Sequence, residues 1–416
     1  MWLRLYNLCW GIVTASLLPV TLNKHRFRKR WGLELPQRSL RKGIWIHALS
    51  VGEVLSAIPL VESISSLCDR DIGFTVTTQK GMEIAEANLK DKVELLDFFP
   101  FDFFWSVKRF VHHIDPLCFI LVETDIWPFL LNFLHLKGIK CFWVNGRISP
   151  ATYRRYSRFP WLIRSIFNCF EICMVQSEED RKRLLRLGMD GNKVINTGNM
   201  KFDRDIAPLT EQEKREWRRL FRIGDKDIIW IAGSTHPGEE EIILDVFNRI
   251  RKKVPNLVLI IAPRNIERAY EIYQMGRDMG FNMVFRSKSP PAERGDVVII
   301  DTIGELARLY AIADIAFVGG SLVPFGGHNL IEPASFGCPV ISGPHVFNFK
   351  DISRALMDAH AGIMAKDKEE LYSSVLRLIE EPRWREQVME SCRLFLYKNK
   401  GATERVVSLI RSRLQC

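Results

Sequence analysis

"DIAFVGGSLVPFGGHNLIEPASFGCPVISG" (314–343) holds two short apolar runs, 314–320 and 338–343, on either side of a glycine-rich loop. We expect a helix to begin near Asn329, between the loop and the second run. A strand, a helix and a second strand in this order form a parallel pair, because the helix returns the chain to the same end of the sheet. Glycines leave room where a side chain would not, so the loop is expected to lie close to a ligand.

The same alternation continues on both sides of this stretch. Further candidate strands are 227–233, 257–263 and 296–301 in the C-terminal half, and 43–48, 72–78, 118–123, 140–145, 171–176 and 193–198 in the N-terminal half. Strands alternating with helices predict parallel sheets that are covered on both faces. We therefore expect an α/β protein with two Rossmann-like doubly wound domains facing a cleft, into which the carboxyl ends of both sets of strands point.

The predicted division of the chain has four parts. The strand pattern disappears within 203–221, where charged residues dominate, so the domain boundary is expected near 205–215. The predicted parts are an apolar anchor with a basic collar (1–30), a first domain (31–208), a second domain (209–385) and a C-terminal helix (386–416) for which packing back on the first domain is one option.

Composition limits the chemistry. Apolar residues at 47% and charged residues at 26% indicate a globular protein. The nine cysteines form no C-x-x-C pair, which predicts reduced thiols in a cytoplasmic protein, with a disulfide as the alternative. The nine histidines form neither an H-x-x-x-H nor an H-E-x-x-H pattern, so we expect no metal site built from protein ligands.

The net charge of +10 is concentrated near the N-terminus, where mostly apolar residues precede KHRFRKR (24–30). The apolar part, roughly twenty residues, is just long enough to cross a bilayer. Basic residues after it predict an uncleaved anchor with the rest of the chain on the cytoplasmic side, whereas a cleaved signal peptide has the reverse order. A helix lying in the membrane interface and an ordinary buried first helix are the alternatives. Nucleic acid is not expected as a partner, because the cations are not interleaved with stacking aromatics.

Polar residues follow four of the N-terminal strands. They are Glu53, Glu123, Asp125, Asn145, Arg147 and Lys201. Carboxylates and cations at one sheet edge suit the transfer of an electrophile to a hydroxyl group. Glu53 has a second interpretation, because Ser50 to Glu53 also fits an S-x-x-E capping box in which the glutamate only caps the helix backbone.

The C-terminal half carries features expected at a nucleotide site. Gly233, Ser234 and Thr235 end a strand before a helix, which predicts a loop that offers N–H groups to a phosphate. Arg264 follows another strand, where pairing with a phosphate competes with an ordinary surface salt bridge. Gly304 and Glu305 open a helix and could simply cap it. Glu332 lies one turn into the helix after the glycine-rich loop and could bind a ribose diol, as acidic residues do in other nucleotide sites.

The motifs together resemble the 3-deoxy-D-manno-octulosonic acid (Kdo) transferases of Gram-negative bacteria, from the end of the apolar segment to about residue 385. They are HALSVGE, ETDIWP, VNGRIS, TGNMKFD, GSTHPGEEE, APR, DTIGEL and the glycine-rich stretch extended to FNFKD. The resemblance implies a GT-B fold and an inverting transfer of Kdo from CMP-Kdo to lipid IVA, the tetraacyl lipid A precursor, at the cytoplasmic side of the inner membrane during lipopolysaccharide biosynthesis. It implies neither a metal ion nor a cofactor, and the oligomeric state stays open.

Residue roles follow from the same resemblance. Glu53 is implied as the general base, with Glu123 and Lys201 supporting the transition state. The implied CMP contacts are Pro263, Arg264, Ile303, Gly304, Glu305, Asn329, Leu330, Ile331 and Glu332. Part of the aromatic run 97–110, Phe103 and Phe104 in particular, is a hypothetical mouth for the lipid acceptor. A GT-B enzyme that uses a UDP-sugar and a non-enzymatic membrane scaffold are the alternative functions.

Overall fold

The computed structural model describes residues 6, 10, 11, 25–67, 70–203, 209–288 and 294–414. The chain forms two compact units, the first built from Met1–Asp205 and Asn399–Cys416 and the second from Ile206–Lys398. Each unit contains one sheet of seven parallel strands.

Unit 1 has the strand order β3-β2-β1-β4-β5-β6-β7. Its strands are β1 Ile44–Ala48, β2 Ile72–Val76, β3 Leu95–Phe98, β4 Cys118–Val122, β5 Lys140–Gly146, β6 Phe170–Val175 and β7 Val194–Asn196. Its helices up to the end of the sheet are α1 His25–Arg30, α2 Val51–Leu67, α3 Gln79–Leu89, α4 Phe104–Ile114, α5 Pro128–Leu136, α6 Pro150–Tyr156, α7 Pro160–Phe167 and α8 Glu178–Arg186. A short 3-10 helix, Met200–Asp203, follows β7.

Unit 2 has the order β10-β11-β9-β8-β12-β13-β14. Its strands are β8 Ile228–Thr235, β9 Leu257–Pro263, β10 Met283–Phe285, β11 Val297–Ile299, β12 Ile315–Val318, β13 Val340–Ser342 and β14 Gly362–Met364. Its helices are α9 Glu211–Leu220, α10 Glu239–Arg251, α11 Ala269–Asp278, α12 Leu306–Leu309, α13 Ile331–Ser335, α14 Lys350–Asp358, α15 Lys368–Glu380 and α16 Pro382–Asn399.

The strands are apolar over their whole length because both faces of each sheet are covered. In β1, Trp45 packs into a cluster with Phe110 of α4, whereas Ile46 belongs to a second cluster with Val61 of α2. Successive side chains of a strand point to opposite faces, so these two clusters lie on opposite sides of the sheet. The doubly wound α/β prediction is confirmed, although β3, β10 and β14 were not among the predicted strands.

The C-terminal segment differs from the single helix expected over 386–416. The chain forms α16 and then a separate helix, α17 Ala402–Leu414. Gly401 between them has a φ of +84°, a left-handed conformation that ends a helix and favours glycine. Helix α16 belongs to unit 2, and α17 belongs to unit 1.

The predicted membrane anchor lies almost entirely outside the described residues. Within the described part of the chain, no helix has the length and apolar character needed to cross a bilayer. The anchor therefore stays a prediction.

Basic residues of the predicted collar contact other segments of unit 1. Arg26 donates a hydrogen bond to the carbonyl of Thr77 at 2.6 Å, and Arg30, which is buried, donates to the carbonyl of Phe99 at 3.0 Å. Lys29 pairs with a carboxylate of β3 at 3.0 Å. These cations fix α1 to the carboxyl ends of β2 and β3.

Candidate active site

The first group of candidate residues lies where β1 and β4 are neighbours in unit 1. The strand order reverses at this point, because β1 leads to β2 on one side and pairs with β4 on the other. Ligands of doubly wound sheets bind at such a switch point, outside the carboxyl ends of the strands. Glu53 lies in the first turn of α2 after β1, and Glu123 directly follows β4.

Glu53 is buried, with 4% of its surface exposed. Its Oε2 accepts a hydrogen bond from the backbone N–H of Leu49 at 2.5 Å, and its Oε1 accepts one from the hydroxyl of Thr124 at 3.1 Å. One oxygen therefore caps the helix start, as the capping interpretation proposed, although through Leu49 rather than Ser50. The other oxygen joins Glu53 to the segment after β4.

The pKa of Glu53 is raised to about 8, mainly by burial, then by the negative charge of Glu123, with a smaller contribution from Asp125. The hydrogen bonds from Leu49 and Thr124 act in the opposite direction without cancelling the rise. A carboxyl with this pKa exchanges its proton near neutral pH, which is the property expected of a general base or acid.

Glu123 is held by three donors on a single oxygen. Its Oε1 lies 2.8 Å from Nζ of Lys201, 3.1 Å from the hydroxyl of Ser56 and 3.2 Å from the amide nitrogen of Asn145. Ser56 is one turn after Glu53 on α2. The structure thus brings the three predicted catalytic residues of unit 1 into one cluster.

The backbone of this cluster is strained in two places. Glu123 has a φ of +62° and Asn145 a φ of +52°, both in the left-handed region. Such conformations cost about 1–3 kcal/mol for a residue other than glycine and persist only where the surroundings enforce them. Here the N–H of Glu123 donates to Val144, and the indole of Trp143 donates to the carbonyl of Glu123. In this conformation the Glu123 side chain contacts Lys201 and Ser56.

A buried histidine makes a second contact between the same two segments, and the sequence did not reveal it. His47 in β1 is fully buried, its Nδ1 donates to the carbonyl of Thr75 at 2.9 Å, and its Nε2 lies 2.9 Å from Oδ2 of Asp125. Its ring stacks on Phe99 at a centroid distance of 3.7 Å. A histidine within an apolar strand was the available signal.

The pKa of Asp125 reflects this contact. Burial alone raises it, but the hydrogen bond and charge of His47, together with a hydrogen bond from Thr77, bring the net pKa below its ordinary value. Asp125 therefore keeps its negative charge beside Glu53.

The aromatic run 97–110 is only partly available for an acceptor. Phe98, Phe99 and Phe110 are buried, whereas Phe104 and Trp105 are 48% and 52% exposed. Phe103, the other residue of the predicted mouth, is partly buried.

Asp102 within the same run has a structural role. Its carboxylate accepts hydrogen bonds from the backbone N–H groups of Phe129 and Leu130 at 3.0 and 2.7 Å, and from the hydroxyl of Tyr6 at 2.8 Å. It thereby caps the first turn of α5. Burial raises the pKa of Asp102 to about 6.

In unit 2 the predicted CMP contacts follow β9, β11 and β12, and β8 lies between β9 and β12. The side chains of Pro263, Leu330 and Ile331 are buried, so only their backbone could contact a ligand. Arg264 is exposed and so available to a ligand. Ile303 is 83% exposed.

Two acidic residues of this set already have partners within unit 2. Glu305 accepts a hydrogen bond from Arg286 at 2.7 Å and one from the hydroxyl of Thr302. Glu332 accepts one from the amide of Asn329 at 3.1 Å, and Asn329 in turn caps the backbone N–H of Ile331. The two side chains at the start of α13 therefore orient each other.

The predicted phosphate loop is not a loop. Gly233, Ser234 and Thr235 are the last residues of β8, and three residues separate them from α10, which begins with Glu239, Glu240 and Glu241. Three carboxylates in the first turn of a helix disfavour a phosphate there, because they already complement the helix dipole. The expectation for 233–235 is therefore wrong in its geometry.

Glu239 also binds the backbone at the start of the glycine-rich loop, which was expected from the sequence to lie close to a ligand. Its two oxygens accept hydrogen bonds from the N–H groups of Gly320, Ser321 and Leu322 at 2.7 to 2.9 Å, and from that of His236 at 3.0 Å. The donors at the start of the loop are thus satisfied by a buried carboxylate of the protein itself. Gly320 is needed for another reason, because a Cβ there would come within 3.3 Å of the rings of His236 and His328.

These two histidines face each other beside the glycine-rich loop. Their Nε2 atoms are 2.8 Å apart, so one donates and the other accepts. Burial, with the nearby charge of Arg264, lowers the pKa of His328 to about 4. The sequence motifs contained both residues, but nothing in their spacing showed that they meet.

No group of three or more His, Cys, Asp or Glu side chains in the described ranges is arranged to hold a metal ion.

The relatives identify the family. The chain is 35% identical over 377 residues to a 3-deoxy-D-manno-octulosonic acid transferase of Haemophilus influenzae, covering 90% of this chain and 88% of that protein. The chain belongs to the 3-deoxy-D-manno-octulosonic acid transferase family. The family model for this transferase matches residues 25–204, which include Glu53, Glu123 and Lys201.

Two further comparisons concern the length of one relative and the fold. The chain is 34% identical to a bifunctional glycosyltransferase/methyltransferase of Fusobacterium nucleatum, covering 92% of this chain but only 60% of that protein's length. A UDP-GlcNAc 2-epimerase of Neisseria meningitidis superposes with a TM-score of 0.63 at 16% identity, covering 89% of this chain and all of that one. The last likeness concerns the fold alone, which is GT-B-like. As a member of this family, the chain is a glycosyltransferase.

Proposed function

We propose that the protein transfers Kdo from CMP-Kdo to a hydroxyl group of lipid IVA, with inversion at the anomeric carbon, in lipopolysaccharide biosynthesis. The observation that carries the proposal is the buried Glu53 beside the Glu123–Lys201 pair at the switch point of unit 1. Membership of the Kdo transferase family supports the choice of sugar.

Glu53 acts as the general base. In its ionised form it takes the proton of the acceptor hydroxyl as that oxygen attacks the anomeric carbon, and the bond from this carbon to the CMP phosphate oxygen breaks. Because the pKa of Glu53 is near 8, the carboxylate is a stronger base than an ordinary glutamate and is still partly ionised at neutral pH. Attack from the face opposite to the leaving CMP gives inversion.

Lys201 and Glu123 shape the electrostatics around the base. The ammonium compensates the charge of Glu123 at 2.8 Å, which limits the repulsion that Glu123 exerts on ionised Glu53. Glu123 in turn orients α2 through Ser56.

The donor is assigned to the carboxyl edge of the unit 2 sheet. Arg264 is exposed there and pairs with the phosphate, whose negative charge increases as CMP leaves. Asn329 and Glu332, which are partly exposed, bind the nucleoside, with Glu332 on the ribose hydroxyls. This assignment requires neither a cofactor nor a metal ion.

A lipid acceptor places the reaction at the cytoplasmic side of the inner membrane. One surface of unit 1 has residues suited to contact with a membrane. Between Asp125 and Glu171 the sequence has seven Lys or Arg residues and no Asp or Glu. Phe159 and Trp161 in this segment are 56% and 59% exposed, and the neighbouring arginines 154, 155, 158 and 164 are also exposed. Aromatic and cationic side chains without acids favour contact with anionic lipid.

Two described residues of the N-terminal apolar segment contact unit 1. Tyr6 bonds to Asp102, and Trp10 packs against Trp127 at a centroid distance of 6.3 Å. Asp102 is two residues before Phe104 in sequence. The ring of Phe104 packs on Phe129 of α5, which is two residues after Trp127. We therefore propose that residues 1–22, Phe104–Trp105 and Phe159–Trp161 contact the membrane together.

Incubation of the purified protein with CMP-Kdo and lipid IVA tests the function. Mass spectrometry should show a product heavier than lipid IVA by one or more Kdo residues. In parallel, CMP should raise the melting temperature of the protein and UDP should not. Absence of product with CMP-Kdo, combined with stabilisation by UDP and transfer from a UDP-sugar, would overturn the proposal.

A further inference from the structure

Helix α17 packs beside the segment that carries Lys201 and beside the helix that carries Glu53. It follows α16 of unit 2 in the chain and returns the chain to unit 1. Its buried residues Val406 and Ile410 share one apolar cluster with Val61 of α2, and α17 contacts both α2 and the 3-10 helix after β7. The last helix of the chain therefore supports two parts of the proposed catalytic cluster.

Asp203 at the end of this 3-10 helix caps α17. Its Oδ1 accepts a hydrogen bond from the N–H of Gly401 at 2.7 Å, and its Oδ2 accepts one from the N–H of Thr403 at 2.5 Å. A carboxylate in this position satisfies N–H groups that have no partner within the helix and complements the helix dipole. The two elements are nearly two hundred residues apart in sequence, so the contact exists only in the folded chain.

Arg405 attaches the other end of the same segment. Its Nε donates to the carbonyl of Thr197 at 2.8 Å. The next residue, Gly198, has a φ of +86°, and a Cβ there would lie 3.0 Å from Nη2 of Arg405. The close approach of Arg405 thus depends on glycine, and residues 197–203 are tied to α17 at both ends.

Lys201 lies between these two attachments. Its backbone N–H donates to the side chain of Asn199 at 3.0 Å, and its Nζ reaches Oε1 of Glu123 at 2.8 Å. A lysine side chain is long and flexible, so the place of its ammonium depends on where the backbone holds its Cα.

We propose that Asp203 and Arg405 are positioning residues, which tie residues 197–203 to the N-terminus of α17 and so keep the Lys201 ammonium on Glu123. Their importance for turnover rests on the proposed function, whereas the electrostatic effect does not. The titratable groups around Glu53 are Glu123 and Asp125, with Lys201 and His47 paired to them. When the ammonium moves away, Glu123 repels ionised Glu53 more strongly, and Glu53 holds its proton to higher pH.

The test is the titration of Glu53, which needs no substrate. Glutamate labelled with ¹³C at the carboxyl carbon is followed by NMR against pH, and Glu53→Gln assigns the Glu53 signal. In Asp203→Asn, which removes the charge with little change of shape, the Glu53 midpoint should rise by about half a pH unit or more. Arg405→Lys, which breaks the other attachment, should raise it in the same direction.

Asp190→Asn is the matched control. Asp190 caps another 3-10 helix of unit 1 by accepting the N–H of Asn192 at 2.9 Å, but it lies outside the segment 197–203. Its loss should leave the Glu53 midpoint unchanged. If Asp203 has only a structural role, Asp203→Asn should lower the stability of the protein as Asp190→Asn does, without moving the Glu53 midpoint.

A double-mutant cycle makes the test specific. In a Lys201→Met background, Asp203→Asn should cause no further rise, because the ammonium is already gone. An equal rise in both backgrounds, or an unchanged midpoint in folded Asp203→Asn and Arg405→Lys, would refute the proposal. Failure of Kdo transfer with a normal titration response would count against the proposed function alone.

Discussion

Nζ of Lys201 lies 2.8 Å from Oε1 of Glu123, whereas no cation within the described part of the chain pairs with the neighbouring Glu53. The two buried carboxyls are therefore unequal. Glu123 has a compensating charge and hydrogen bonds, while burial and the charge of Glu123 raise the pKa of Glu53 to about 8. Pairs of carboxyls whose environments differ in this way commonly divide the roles of base and charge stabiliser.

Glu53→Gln should reduce Kdo transfer by about two or more orders of magnitude, because the amide cannot accept the proton of the acceptor. Binding of CMP, measured by calorimetry, should be unchanged, since Glu53 is in unit 1 and the proposed nucleotide contacts are in unit 2. Turnover near the wild-type rate would mean that Glu53 only caps α2.

The free energy of unfolding should decrease as the pH rises, because of the proton held by Glu53. The folded protein binds this proton more tightly than the unfolded chain, so the contribution is fully present below about pH 4.5 and is lost as the pH rises toward 8. The loss is up to about 5 kcal/mol. Urea unfolding at pH 5 and pH 8.5 should show a smaller fall for Glu53→Gln than for the wild type. An equal fall in both proteins would contradict the raised pKa.

Glu239→Ala should destabilise unit 2 by at least about 3 kcal/mol, because four backbone N–H groups, two of them buried, lose their acceptor. Glu241→Ala is the control, since Glu241 lies in the same helical turn but is exposed. Thermal unfolding monitored by circular dichroism measures both variants. Similar melting temperatures for the two would show that the loop does not depend on Glu239.

The surface with Phe104, Trp105, Phe159 and Trp161 should bind anionic lipid. Replacing the four aromatic residues by serine should weaken association with vesicles that contain phosphatidylglycerol by about tenfold or more, by loss of buried apolar area. Binding of CMP should persist. The control is Tyr270→Ser, which removes a 65% exposed aromatic residue from unit 2. Unchanged vesicle association of the fourfold variant would remove this surface from the proposal.

The sequence predicted the residues of the active cluster but not their partners. Glu53, Glu123 and Lys201 follow different strands, and the rule that parallel strands end at one sheet edge was sufficient to expect them close together. The contact of His47 with Asp125 could not be predicted, because it depends on the alignment of β1 with β2 and β4. The contact of Glu239 with the start of the glycine-rich loop could not be predicted for a similar reason, since Glu239 is about eighty residues away in sequence.

Local patterns by themselves determined the α/β class, the strand-helix alternation and the chemical types at the strand ends, because apolar periodicity and turn residues act over a few positions. Only the tertiary structure decided which charges compensate each other. The capping of α17 by Asp203, the placing of Lys201 on Glu123 and the raised pKa of Glu53 all depend on burial and on distances between remote segments. These are properties of the folded chain that no short stretch of sequence contains.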